Sequence, residues 1–192
     1  MKNLTWQNPE QLFVAQELIN KVKSKCCGIK VMITLIAAVA KNRAIGYQNK
    51  LLYWLPDDMK RFRTLTTGHT IIMGRRTFES FPKGPLPNRR NVVLSHRDIQ
   101  ISGAEVFPSL EDALSSCDSD EDIYVIGGAS VYEQALPLAH RLCLTEVEDT
   151  PDEADAFFPS FCVDEWEAEI VSEHHIDEKH THPFRFVDYF RK

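Results

Sequence analysis

A chain of 192 residues, 43% of them apolar, is the size of one large domain or two very small ones and can form one substantial core, which excludes a disordered or fibrous protein. Glycine and proline, at 8 and 10 copies, are near average, and no apolar run approaches the roughly 18 residues of a membrane span. Twenty-two basic against 28 acidic residues give a formal charge of −6, so a nucleic-acid binder held by phosphate neutralisation is not indicated and any basic site must be local.

Asn8-Pro9-Glu10-Gln11 reads as a helix start, with Asn8 as N-cap, Pro9 at the first helical position and Gln11 placed to close a capping box. Leu12, Ala15, Ile19 and Val22 then form one modest apolar face, Lys21, Lys23 and Lys25 suit the C-terminal end of the dipole, and Gly28 is the stop. This leader has no signal-peptide pattern. It is either a docking helix for a partner or a terminal appendage, with folding beginning near Met32. From Val31 to Ala40 the chain is apolar at nearly every position, as in a strand covered on both faces. Similar short runs recur at 70–73, 91–94, 122–126 and 141–147, with helical stretches at 56–65, 75–81, 109–116 and 129–136 between them. Strands separated by short helices need crossover connections, which predicts an α/β domain with a mostly parallel sheet. After an acidic loop at 148–155, alternating runs at 166–173 and 184–190 predict an antiparallel hairpin closing one side. Its connection carries His174, His175, His180 and His182, read as a solvated loop without a metal. Five cysteines (Cys26, Cys27, Cys117, Cys143 and Cys162) lack C-x-x-C spacing and point to the cytosol rather than to a disulfide framework or zinc ribbon.

Three constellations carry chemistry. At Ile126-Gly127-Gly128-Ala129, a strand ends in a glycine pair and a helix begins at once, so helix-start N–H groups can approach a phosphate; a tight turn is the other reading. At Met73-Gly74-Arg75-Arg76-Thr77, a second strand end places two guanidinium groups in a first helical turn, where the macrodipole disfavours cations unless an anion sits there. Leu94-Ser95-His96-Arg97 adds hydroxyl, imidazole and guanidinium groups at a third strand end. Ligands of open α/β sheets bind at such ends, so the three converge on a phosphorylated cofactor. No G-x-G-x-x-G or P-loop occurs. Finally, Leu55-Pro56-Asp57-Asp58-Met59 opens a helix with two carboxylates. They either cap it or, since Asp58 lies four before Phe62 on one face, hold an amidine-like ligand edge beside apolar residues.

In order and spacing these segments resemble dihydrofolate reductase. The resemblance is carried by Met32 to Ala38, Ile45-Gly46, Leu55-Pro56-x-Asp58-Met59-x-x-Phe62 and Met73-Gly74-Arg75-x-Thr77-Phe78. It continues through Pro85-Leu86-Pro87-x-Arg89-x-Asn91, Leu94-Ser95, Ile126-Gly127-Gly128-x-x-Val131-Tyr132 and Leu144-Thr145, covering the chain from Met32 to its end. It implies a single α/β domain over 32–192, with a mixed, mostly parallel sheet of about eight strands, about four flanking helices and a C-terminal antiparallel hairpin. Residues 1–31 form a peripheral helical extension. The implied reaction is NADPH-dependent reduction of dihydrofolate to tetrahydrofolate, by a cytoplasmic monomer sensitive to antifolates and binding neither nucleic acid nor membrane.

Residue by residue, the resemblance implies Asp58 as the ionised group binding the pterin edge and promoting protonation of N5, oriented by Thr145. Tyr132 lies near the nicotinamide. Ile36, Ala38, Met59, Phe62, Phe81, Leu86 and Ile126 wall the substrate, and Arg89 binds the glutamate α-carboxylate. Cofactor contacts fall to Ala38, Ile45, Gly46, Gly74, Arg75, Arg76, Thr77, Leu94, Ser95, His96, Gly127, Gly128, Ala129, Ser130, Val131 and Tyr132, with a cis peptide between Gly127 and Gly128. Two departures stand out. Leu52-Tyr53-Trp54 replaces the family's Pro-Trp loop, leaving either Tyr53 or Trp54 in the tryptophan's catalytic role, and Ser130 stands where some members carry arginine. The rival readings are a related reductase of riboflavin biosynthesis and a cofactor-binding module without catalysis; a solvent-facing Asp58 would favour the latter.

Overall fold

The computed structural model describes residues 31–118 and 120–192, so the expected leading helix lies outside the described residues. The strands are β1 Met32–Ala40, β2 Ala44–Tyr47, β3 Lys50–Leu51, β4 Thr70–Gly74, β5 Arg90–Leu94, β6 Glu105–Phe107, β7 Asp122–Val125, β8 Arg141–Val147, β9 Ala156–Phe157, β10 Trp166–His174 and β11 Phe184–Arg191. The α-helices are α1 Pro56–Thr66, α2 Arg75–Glu79, α3 Leu110–Ser115 and α4 Ala129–Ala135.

Eight strands form one sheet in the order β10-β11-β8-β1-β7-β4-β5-β6. β1 pairs in parallel with β7 and β8, β4 with β7 and β5, and β5 with β6, while β11 runs antiparallel to β8 and β10. The uninterrupted apolar run of β1 follows from this central position, because both of its faces are covered. Side chains alternate across a strand, so successive residues belong to different cores. Leu35, Ile72 and Val92 join Leu110, Ala113, Val131 and Leu142 on the face under α3 and α4. Ile36, Ile71, Met73 and Val93 join Tyr124, Cys143, Phe62 and Phe81 on the face under α1 and α2.

Helix boundaries differ slightly from the periodicity. Ser109 stands outside α3 as its N-cap, with Oγ accepting from the Asp112 N–H at 3.0 Å. α2 ends at Glu79, and the Phe81 N–H closes a further turn onto the Phe78 carbonyl. The expected C-terminal hairpin forms from β10 and β11, with a bulge between Ile170 and Ser172. A second sheet, β3-β2-β9, escaped the sequence pattern because its strands span only two to four residues. Gln48 and Asn49, both at positive φ, form the two-residue turn joining β2 to β3. Among the described residues, no helix is long and apolar enough to cross a membrane.

Candidate active site

Leu55, in extended backbone, and Pro56 at the first helical position start α1, and the next residues point about 100° apart. Asp57 turns outward toward the hairpin connection, whereas Asp58 is buried at 9% exposure. Thr145 in β8 donates its hydroxyl to Asp58 Oδ1 at 2.5 Å. Burial pushes the Asp58 carboxyl above the usual range, opposed by the Thr145 hydrogen bond and by the Arg61 charge. Asp58 is therefore a held, inward-facing carboxylate rather than a solvent-facing cap.

Around it stands an apolar wall. Ile36, Phe62, Phe81, Leu86 and Ile126 share one apolar cluster, while Ala38 and Met59 are half-buried. Asn91 clamps the entry to β5, accepting from the Leu86 N–H and donating to the Leu86 and Arg89 carbonyls. Arg89 is half-buried at the far end of α1. It donates to Thr66 Oγ1 (2.8 Å), Thr67 Oγ1 (3.2 Å) and the Pro87 carbonyl (2.9 Å), with its guanidinium 5.7 Å from the Phe62 ring centre. Burial, then Arg63, lowers its pKa, so a bound anion would be favoured there.

The ends of β4 and β7 meet through glycines. The Gly74 N–H donates to the Gly127 carbonyl at 2.7 Å, and the peptide between Gly127 and Gly128 is cis. At Gly127, φ is +112° and a Cβ would stand 3.2–3.4 Å from Tyr132. At Gly128 a Cβ would stand 3.3 Å from Thr77 Oγ1, and at Gly74 3.3 Å from Val131 Cγ2. Tyr132 is buried, donates to the Ile36 carbonyl at 2.6 Å, and is held neutral by burial and by Asp58. Gly74, Thr77, Gly127, Gly128, Val131 and Tyr132 thus come together at two adjacent strand ends.

At the third strand end, Ser95, His96 and Arg97 line an open cavity of about 300 Å³. Asp98, a carboxylate, and Ile99, Val106, Phe107 and Pro108 complete its wall and were missed in the sequence. Their signal was slight, since β6 is only three residues long. Arg75 pairs with Glu79 one turn on and Arg76 is exposed, so neither guanidinium is sequestered in the core. Ile45 and Gly46 lie in β2, which is tied to the 152–157 segment: Asp155 donates its N–H to the Gly46 carbonyl (3.1 Å) and accepts from the Gln48 N–H (2.9 Å).

Of the two aromatic loop residues, Tyr53 packs inward against Leu55, Val147, Phe184 and Phe186, whereas Trp54 is 76% exposed. The Tyr53 hydroxyl donates to Asp149 Oδ2 at 2.9 Å. The histidine-rich connection departs from the expected solvated loop. His180 is 2% exposed, and His174 stacks on Phe184 with ring centres 4.5 Å apart. Both face Asp57 Oδ2, at 3.6 Å from His174 Nδ1 and 3.7 Å from His180 Nε2. The apolar backing of Phe184 and Phe186, 127 or more residues beyond Asp57, draws them in; local polarity gave no sign of it. Among the described residues, no group of three or more His, Cys, Asp or Glu side chains is placed to hold a metal ion.

Comparison with known proteins agrees with this geometry. The family model described as dihydrofolate reductase matches residues 32–191. The chain is 44% identical over 160 residues to a dihydrofolate reductase of Neisseria meningitidis serogroup A, covering 83% of this chain and 98% of that protein. It is 41% identical over 162 residues to the Bacillus subtilis dihydrofolate reductase, covering 84% and 95% respectively. Among solved structures, the dihydrofolate reductase of Enterococcus faecalis complexed with NADP(H) and RAB-propyl superposes with a TM-score of 0.77. It is 34% identical and covers 84% of this chain and 96% of that one.

Proposed function

The chain belongs to the dihydrofolate reductase family and reduces dihydrofolate with NADPH, and from that premise we propose which of its residues carry the reaction. The observation that carries the proposal is the buried Asp58 carboxylate, fixed by Thr145 at the mouth of an apolar wall. Asp58 accepts hydrogen bonds from the 2-amino and N3 edge of the pterin, a two-point contact matched to a carboxylate. Its negative charge favours protonation of N5, with the proton delivered through water. Thr145 fixes the carboxylate's rotamer. Ile36, Ala38, Met59, Phe62, Phe81, Leu86 and Ile126 exclude bulk water from the ring.

The residues present fit a phosphorylated dinucleotide. At Gly74, Gly127 and Gly128 the bare backbone occupies places where a Cβ would be crowded, and Ser95, His96 and Arg97 offer donors around an open cavity. When bound, NADPH supplies the hydride that ends on C6 of the pterin. Ile45, Gly46, Ala129, Ser130 and Val131 flank the cofactor's path; Arg75, Arg76, Thr77, Leu94, Ser95 and His96 hold its phosphate-bearing half. Tyr132, fixed by the Ile36 carbonyl, forms the floor of the nicotinamide site. Tyr53, rather than the exposed Trp54, takes the inward loop position, and its bond to Asp149 holds the loop over the pterin. We place the reductase domain at 32–192 with 1–31 as a peripheral extension, and the protein in the cytosol as a monomer. The free thiols of Cys117, Cys143 and Cys162 support that compartment.

Arg89 provides a direct test. Arg89→Leu removes the planar partner for the glutamate α-carboxylate, so KM for dihydrofolate rises by about 10–100-fold while kcat changes less. A pteridine substrate lacking the glutamate tail is insensitive to the same change. Steady-state kinetics following NADPH absorbance check both statements, and an equal loss with the truncated substrate would remove Arg89 from the tail site.

A further inference from the structure

Two arginines flank one buried aspartate beneath the pterin site. Asp188 in β11 is 4% exposed and faces Cys143 across the β8–β11 ladder. Its Oδ1 accepts from Arg61 Nη2 at 2.7 Å and its Oδ2 from Arg141 Nη2 at 2.5 Å. Register places the two cations at different ends. Thr145, which binds Asp58, is opposite Phe186, and the Arg61 guanidinium lies 4.7 Å from the Phe186 ring centre. Arg61 also stands three residues after Asp58 on α1, a spacing that puts the two on neighbouring positions of one helix face. The Arg141 guanidinium instead covers Phe190, and its Cα lies four β8 residues from Thr145, about 13 Å along the strand. Among the described residues, Arg61 Nη1 is buried without a hydrogen-bond partner, so its charge is not consumed by a second direct hydrogen bond.

We propose that Arg61 is a positioning residue for the reaction: Asp188 holds its guanidinium beneath the pterin site, on the helix face it shares with Asp58. The proposal rests on the reading of Asp58 as the pterin-binding carboxylate. The ionisable groups that interact with Asp58 are Arg61 on its own helix and Tyr132 on α4, while Cys143 and Arg141 on β8 and Asp188 on β11 form the group on the far side of the Arg61 guanidinium. Arg61 is the cation among them whose attraction acts on Asp58. Asp57 faces His174 and His180 instead. Arg61 anchors to Asp188 rather than to Asp58, which leaves the Asp58 carboxylate's second oxygen free for a ligand. A direct Arg61–Asp58 ion pair would occupy it.

Arg61→Met is the test, because Asp188 keeps Arg141 and no buried carboxylate is orphaned. Two readings are taken: kcat/KM for dihydrofolate across the pH range, and a carboxyl-carbon NMR titration of Asp58 in the ligand-free protein, assigned by its loss in Asp58→Asn. In Arg61→Met the Asp58 titration moves to higher pH. Its kcat/KM falls about 3–10-fold near pH 5.5 and stays within about twofold of wild type near pH 8. Arg61→Lys restores much of the acid-side activity. Arg141→Met breaks the other half of the same network yet leaves the Asp58 titration where it was, which a merely structural role for Arg61 would not produce. An unmoved Asp58 titration in Arg61→Met, or an equal movement in Arg141→Met, overturns the proposal. Full turnover in Asp58→Asn would instead overturn the reading of Asp58, whatever Arg61 does to its titration.

Discussion

Asp58→Asn is expected to lower kcat by about 100-fold or more at neutral pH while raising the melting temperature of the ligand-free protein. The two effects share one origin. Burial lifts the Asp58 carboxyl above its ordinary range despite Thr145 and Arg61, so in the folded protein the charged form is costly. The sign follows from linkage: between the unfolded and the raised folded pKa the folded state binds the extra proton. Stability is therefore fully present below the unfolded value and is lost as pH rises through the folded one. Once pH exceeds the folded value the protein carries that full cost, and the amide, which keeps an oxygen for the Thr145 hydroxyl, relieves it. The amide cannot hold negative charge against a protonated pterin, so turnover falls. Melting curves of both proteins across pH show the difference narrowing toward acid, where wild-type Asp58 is neutral too. A destabilised Asp58→Asn protein at neutral pH would show that the carboxylate is structurally favourable and contradict this account.

Asp188→Leu is expected to destabilise the fold by about 3–5 kcal/mol and to lower Tm by roughly 6–20 °C, because it leaves Arg61 and Arg141 as uncompensated charges in a largely buried place. The penalty comes from the broken network and not from the loss of a net favourable ion pair. Accordingly the triple change of Arg61→Met, Asp188→Leu and Arg141→Met recovers much of the lost Tm, since apolar groups of similar volume avoid the desolvation cost altogether. In the wild type, burial opposes but the two arginines prevail, and the Asp188 carboxyl is held below the usual range. Its contribution is present above the unfolded carboxylate pKa and is lost as pH falls through the lower folded value, opposite in direction to Asp58. Differential scanning calorimetry of the three proteins measures these effects, and a triple variant no more stable than Asp188→Leu would refute the explanation.

Much of the backbone geometry proposed for the cofactor side was legible because its information is local. A strand, a glycine and a helix start within a few residues announce Gly74-Arg75 and Gly127-Gly128, and the close approaches at those glycines are made by neighbours such as Tyr132 and Thr77. The chemistry at Asp58 was half legible. Its place on a helix start and its spacing from Phe62 were plain, but whether it stayed at the helix start in solvent or turned inward depended on Thr145, 87 residues away. Of the histidines in the hairpin connection, His180 and in part His174 depart from the expected solvated loop for the same reason, whereas His175 is exposed. Polarity made 174–183 look solvated, and residues 175–179 and 181 are exposed, but His174 stacks on Phe184 and His180 is buried edge-on against the same ring.

By itself, the amino-acid sequence determined the α/β alternation, a first strand covered on both faces, the glycine-bearing strand ends and the family resemblance, because periodicity, glycine positions and helix starts are properties of short segments. Tertiary structure alone decided which of two adjacent carboxylates turns inward, which of Tyr53 and Trp54 is buried, and that Arg61, Asp188 and Arg141 form one network. Arg61 and Asp188 lie 127 residues apart, and their meeting requires the antiparallel register of β8 and β11 together with the packing of α1 above it. A shift of one residue in that register would turn Asp188 to the opposite face and leave the −6 chain with its charges intact but this site without its buried cation.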